Sequence, residues 1–336
     1  MRIALLFSLL LLPIVATSSE KPASASHLLP AVVVEARGAT PPLVRYTRGD
    51  EVVWLLGTPG LLPKGASIDW SGAEVRIAES DVLIGMQGLV LGENVGVFRA
   101  LTLWPSIRRV RFNANDATLE DLLPPEAFAQ WRVAQDRYLG GDRGNERLRP
   151  MYAAFELYRA ALADTGLVEQ DVASEVGRIA RRHGVPMIDA RARLSIAAPK
   201  KTVRAFDVPR EADMRCLQDT LDRLDAYLPA ARARGEAWLA GDFDASVPPG
   251  SGRDSLTPCR ATLTNYTIAR GEGVTDLDGF VRDAWRDRLH DAVAEHDVVF
   301  AMVPTRDLME ASGLVAALEQ AGFRPESTSQ PMPHAP

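Results

Sequence analysis

Two short loops are where this chain could carry chemistry. The apolar run Val52–Leu56 stops on Gly57-Thr58-Pro59-Gly60, and the run Val298–Val303 stops on Pro304-Thr305-Arg306-Asp307. An apolar run that halts on such a loop is either the mouth of an active site or the remains of one. The first loop is not a phosphate cradle, because no Gly-Lys-Ser/Thr follows it. No serine, Ser255 included, has the Gly-x-Ser-x-Gly surroundings of a hydrolase nucleophile. Of the histidines His27, His183, His290, His296 and His334, none stands in either loop. His290 and His296 share an expected helix, but their spacing sets them on different faces, which argues against a shared metal. Asp307 is the carboxylate of the second loop; with Asp69, Asp81 or Glu310 it would make an all-oxygen site suited to a hard ion such as Mg²⁺ or Ca²⁺. Arg108, Arg109 and Arg111 cluster as a solvated basic edge or an anion contact. Asn265 heads an Asn-Tyr-Thr glycosylation acceptor, which matters only in a host that uses it.

The elements that must position these residues follow from periodicity. Val52–Leu56 has the unbroken apolar character of a strand buried on both faces, and Val82–Ile84, ending on Gly85, is a second. Thr118 opens a helix, Pro124-Pro125 breaks it, and Phe128, Trp131 and Ala134 resume at helical spacing. A further helix starts near Met151 and stops at Gly166; another, from Val172, stops at Gly184 before a short strand. Repeated helix-then-strand order is the mark of an α/β layer. Leu217, Leu221, Leu224 and Leu228 predict a long amphipathic helix over 212–239 that Pro229 kinks or divides. Val281, Trp285, Leu289 and Val293 predict another over 277–294. The fold class expected is therefore α/β: a sheet with helices on its faces, plus a helical insertion at 212–296. A loop over 304–312 and a helix from Gly313 close a domain spanning 49–323. A leader at 19–48 precedes it, and residues 324–336 lack periodicity and read as a disordered tail.

Composition sets the compartment. Arg2, the apolar stretch Ile3–Ala16 and the small residues after it read as a signal peptide over 1–18, too short for a membrane span. The mature protein is expected to be periplasmic or secreted. Its formal charge, −6 for the whole chain, becomes about −7 without Arg2, which excludes nucleic acid and anionic membrane surfaces as partners. The chain's two cysteines, Cys216 and Cys259, read as a disulfide in an oxidising compartment. Closing a loop of about 44 residues would stabilise the fold by ~4 kcal/mol in the chain-entropy account.

Taken in order, "VVWLLGTPGLLP", "RLRPMYAAFELYRAAL", "CLQDTLDRLDAYLPAARARGEAWLAGD", "VRDAWRDRL", "VVFAMVPTRDLMEASGL" and "EQAGF" resemble the TraB/GumN family, in its bacterial GumN-like branch, related to the Tiki membrane proteases. The likeness covers most of residues 50–323. It implies a TraB/GumN-like α/β domain in which two Gly-x-x-His motifs on loops after two strands meet at a divalent metal. Such a metal would activate water to hydrolyse peptide or ester bonds. The ligand positions are degenerate in this chain. Gly57 keeps the first motif's glycine, but Gly60 stands at its histidine. Gly85 stands where a strand-end glutamate is expected. Asp307 stands at the second histidine, and Pro304 at that motif's glycine. Arg282 stands near the family's helix arginine.

The resemblance thus implies a member with no resident metal or other cofactor, acting as a binding or scaffold module for a peptide, a glycan or an envelope protein. Arg282, Arg306 and Asp307 are its candidate binding residues. The alternative is a metal-dependent peptidase or esterase with ligands rearranged around Asp307, which would take a divalent ion. A purely structural envelope partner would instead expose an apolar patch on the insertion, around Trp238 and Phe243.

Overall fold

The structure is a computed structural model that describes residues 41–91, 110–195, 208–247, 273–309 and 313–326. The signal peptide, most of the leader, Arg108, Arg109, Ser255, Cys259, Asn265, Glu310 and the tail beyond 326 lie outside these residues. The strands are β1 (Leu43–Arg48), β2 (Glu51–Thr58), β3 (Leu61–Pro63), β4 (Val82–Ile84), β5 (Leu89–Leu91), β6 (Leu167–Glu169), β7 (Met187–Ile188), β8 (Ala192–Leu194), β9 (Val298–Pro304) and β10 (Arg324–Glu326). The helices are α1 (Ser71–Ala78), α2 (Leu119–Leu122), α3 (Pro125–Tyr138), α4 (Pro150–Thr165), α5 (Val172–Arg182), α6 (Arg210–Leu239), α7 (Phe243–Ser246), α8 (Leu277–Glu295), α9 (Thr305–Met309) and α10 (Gly313–Gln320). Among the described residues, no helix is long and apolar enough to cross a membrane.

One sheet of six strands, ordered β10-β1-β2-β9-β4-β7, organises the α/β fold. β2, β9, β4 and β7 run parallel, and β1 and β10 extend one side antiparallel. Alternation along the central strands explains their unbroken apolar sequences. Val53, Leu55, Val299, Ala301 and Val303 pack with Trp285 and Leu289 of α8. Their neighbours Leu56, Leu83, Phe300 and Met302 pack on the other face with Ile77 of α1 and Ile179 of α5. A parallel sheet covered on both faces needs apolar side chains at every position.

A separate helical layer is built from two stretches of chain. Trp131 of α3, Met151 and Leu157 of α4, and Leu217, Leu224 and Leu228 of α6 share one core. Thr118 caps α2 in a reciprocal arrangement with Asp121, and Gly166 ends α4 in the left-handed conformation that favours glycine. At the other end of α4, Asp213 of α6 accepts from Arg149 Nε at 2.8 Å and from the Met151 amide at 2.7 Å. That pair ties the two long helices together at their N-terminal ends.

Several boundaries differ from those expected. β1 lies inside the expected leader and β10 inside the expected tail, where Arg45 and Glu326 pair at 2.5 Å. A three-residue edge strand has too few residues to show periodicity. Within the span 212–296, expected as a helical insertion, α6 packs in the helical layer and α8 packs on the sheet. Pro229 does not divide α6, which runs through it for 30 residues. Buried Leu224, Leu228 and Ala231 anchor the helix on both sides of the proline. Residues 305–309 of the expected loop are α9.

α6 reaches the sheet layer through Gly235. A Cβ there would sit 2.5 Å from the Leu61 carbonyl oxygen of β3 and 3.3 Å from Leu62 Cδ2. Gly235→Ala gains about 1 kcal/mol of helix propensity, but backbone cannot yield as a flexible side chain does, and overpacking costs ~1–3 kcal/mol. A net loss of stability is expected, read as a lower melting temperature by circular dichroism. A rise would mean that α6 lifts from β3 without penalty.

Candidate binding cleft

β2 and β9 end side by side, with Thr58 opposite Pro304 as their last register pair. Hydroxyls lock these ends together. Thr305 Oγ1 donates to the Thr58 carbonyl at 2.9 Å, and Thr58 Oγ1 donates to the Val303 carbonyl at 3.1 Å. Gly57 is closely packed here. A Cβ on it would lie 3.0 Å from Leu308 Cδ1 and 3.1 Å from Thr305 Oγ1, both on α9. Its carbonyl accepts from Trp238 Nε1 of α6 at 3.0 Å, so the same glycine holds the helical layer.

Over these strand ends lies a cleft of about 500 Å³, walled by the Thr58–Leu61 loop, Arg306, Met86, Tyr158 of α4, and Tyr227 and Arg234 of α6. The carboxyl ends of parallel strands are where α/β folds place ligands, and the volume falls in the range of small-molecule sites. Tyr158 and Tyr227 face each other with hydroxyl oxygens 3.3 Å apart and ring centroids 5.9 Å apart. The Arg234 guanidinium lies 5.6 Å from the Tyr227 ring centroid. Burial pushes the Tyr158 phenol well above its ordinary range, with the neighbouring Tyr227 adding to the effect. The phenol therefore stays protonated, able to donate and to accept.

The positions singled out from sequence fall in different surroundings. Gly60 lines the cleft, and a Cβ there would meet nothing within 4 Å, so a side chain has room that this chain leaves unfilled. Gly85 is occupied through its backbone: its amide donates to the Ile188 carbonyl at 3.0 Å, and its carbonyl accepts from Trp285 Nε1 at 2.9 Å. Asp307 is buried, accepts from Gln87 Nε2 at 2.7 Å and lies 3.4 Å from Arg306 Nε. Arg306 lines the cleft, whereas Arg282 is exposed on α8, one turn before Trp285, and does not line it.

The other candidate ligands are dispersed. Asp81 accepts from the Val298 amide at the opposite end of β9, and Asp69 accepts from the Ser71 amide. His183 pairs with Glu74 on the surface, His290 is exposed on α8 and His296 caps that helix's end. Among the described residues, no three His, Cys, Asp or Glu side chains converge in a metal-holding group. The divalent metal implied by the resemblance does not fit these positions: two are glycines, and the Asp307 carboxylate is held by Gln87 and Arg306.

The fold also places three further residues singled out from sequence. Trp238 is not part of an exposed patch; it is buried, because its indole N–H is used between α6 and β2. Arg111 of the basic cluster pairs with Glu156 at 2.7 Å. Cys216 is fully buried in the helical core and is not a free thiol. Tyr158, Tyr227 and Arg234 were not singled out from sequence. They occupy ordinary helical positions, and only the packing of α4 beside α6 turns them towards the strand ends.

No curated protein and no solved structure matches this chain. The model of the TraB/PrgY/gumN family matches residues 42–327, which runs from the start of β1 past the end of β10 and takes in the cleft, so the chain belongs to the TraB/PrgY/gumN family.

Proposed function

We propose that this TraB/PrgY/gumN-family protein is an exported, periplasmic or secreted binding or scaffold module that does not catalyse hydrolysis. Its partner is a peptide, a glycan or an envelope protein, held in the cleft over the ends of β2 and β9. The observation that carries this reading is the contrast within one site. The cleft and its supports are built, while the positions that would hold a catalytic metal are Gly60, Gly85 and an Asp307 bonded to Gln87. Among the described residues no imidazole or carboxylate set surrounds an open position, the arrangement that metal-activated water requires. The amino-terminal signal segment and a Cys216–Cys259 disulfide belong to the same proposal, since both suit an oxidising compartment.

Calorimetric titration of the signal-free protein with Zn²⁺, Mn²⁺, Co²⁺ and Mg²⁺, with Asp307→Ala alongside, tests the reading. The expected result is no stoichiometric heat from either protein and no metal-dependent cleavage of peptide or ester substrates. One metal bound per chain, abolished in Asp307→Ala and accompanied by hydrolysis, would replace the proposal with a rearranged metallohydrolase.

A further inference from the structure

The aromatic wall of the cleft narrows its occupant, on the reading that this cleft is a binding site. Tyr158 of α4 and Tyr227 of α6 both line it. Their hydroxyl oxygens stand 3.3 Å apart and their ring centroids 5.9 Å apart, so the rings converge at their polar ends. The ring planes are tilted by 54°, so the two faces are not spent on a stack with each other. The pair therefore combines apolar ring surface with hydroxyls that both donate and accept.

Further hydrogen-bonding groups stand beside the tyrosines. Glu169 at the end of β6 and Gln170 after it line the same cleft. Glu169 is near enough to act on Tyr158: burial raises the phenol's pKa most, Tyr227 adds to the shift, Glu169 adds further and Arg234 opposes it. The Tyr158 hydroxyl thus keeps its proton and its capacity to donate. A carboxylate accepts, whereas an amide and two phenols each do both. Tyr158 and Tyr227 are bonded to each other before a ligand arrives, and groups fixed in advance lose less entropy on binding.

We infer that the cleft binds a short saccharide, its sugar ring against the two tyrosines and its hydroxyls bonded to the phenols, Glu169 and Gln170. A sugar ring has the same division as this wall, an apolar C–H face edged by hydroxyls that donate and accept. A peptide carries its donors and acceptors along an extended backbone, which suits a strand edge more than a pair of tyrosines. Recognition here runs through hydroxyls and not through net charge, so it holds whichever groups neutralise the arginines of the wall.

Saturation-transfer NMR on the signal-free protein tests this, with cellotetraose, maltotetraose and chitotetraose as probes and N-acetylphenylalaninamide as a neutral peptide mimic. At least one saccharide is expected to bind at millimolar concentration, more tightly than the mimic and with its strongest signals from ring C–H protons. Tyr227→Phe and Glu169→Gln keep side-chain shape, and each should weaken that saccharide about three- to tenfold, as the loss of one hydrogen bond does. Circular dichroism checks that both variants are folded. Binding of none of the three saccharides, binding of the mimic as tightly as any of them, or unchanged saccharide affinity in both variants would overturn the inference. The wild-type comparison decides even if a variant fails to fold. A failure here, with no metal heat, would leave the non-catalytic reading standing; stoichiometric metal binding at Asp307 would remove that reading whatever the saccharides do.

Discussion

Asp213→Ala is expected to destabilise the protein by about 3–5 kcal/mol, the range found when one partner of a buried ion pair is removed. Asp213 is almost fully buried and Arg149 is 16 % exposed at its side chain. The Asp213 carboxylate neutralises that guanidinium and also accepts the Met151 amide at 2.7 Å, in the first turn of α4. Alanine removes both partners at once where α4 and α6 meet, and Arg149 still bonds the Val208 carbonyl at 3.1 Å, so it cannot swing out cheaply. Asp213→Asn keeps an acceptor for the amide and should lose less. The double variant Arg149→Met/Asp213→Leu should recover much of the loss, because apolar pairs often replace buried ion pairs without penalty. Urea denaturation of the four proteins checks this, and a loss below about 1 kcal/mol for Asp213→Ala would show the pair to be solvated.

The same carboxyl predicts a pH dependence. Burial raises the pKa of Asp213 above its ordinary value of 3.8, and Arg149 opposes the shift without cancelling it. The native chain then holds this proton to higher pH than the unfolded chain does. Stability from this group is greatest below the ordinary value and falls as pH rises through the window up to the raised pKa. Asp213→Asn lacks the titration. The stability of wild type relative to Asp213→Asn should therefore decline with rising pH in this window and level off above it.

Trp238→Ala is the second large effect, with an expected loss of about 3–5 kcal/mol for truncating a buried tryptophan. The side chain is 2 % exposed and its N–H is the donor to the Gly57 carbonyl, so the substitution opens a cavity and leaves a buried acceptor wanting. Trp238→Phe keeps much of the apolar volume and loses the hydrogen bond, which should cost about 1–2 kcal/mol. Urea denaturation of wild type, Trp238→Ala and Trp238→Phe measures these losses. Unchanged stability in Trp238→Ala would mean that α6 is not anchored to β2 through this side chain.

The family resemblance was legible because it rests on the order of short segments along the chain, and the family match over residues 42–327 spans them. The positions that the resemblance marks could be named from sequence, but not their surroundings in the fold. Gly85 looks like a lost ligand in sequence; in the fold its amide and carbonyl join β4 to β7 and α8. Gly60 is different, because it faces open space and no packing demands glycine there.

The sequence by itself determined the local half of this protein. Thr118 as a cap, Gly166 as a stop, and the strands Val82–Ile84 and Val298–Val303 are set by residues close together in the chain, through hydrogen bonds to neighbouring backbone and through periodicities of two and 3.6. Tertiary structure alone decided the rest: that β1 and β10 join the sheet, that α8 covers it instead of the helical layer, that Trp238 is buried, and that Gln87 bonds Asp307. It also decided that Tyr158, Tyr227, Arg234 and Arg306 line one cleft. The physical reason is that each of these depends on which surfaces exclude water from one another. That is a property of pairs of elements far apart in the chain, and no single segment encodes it.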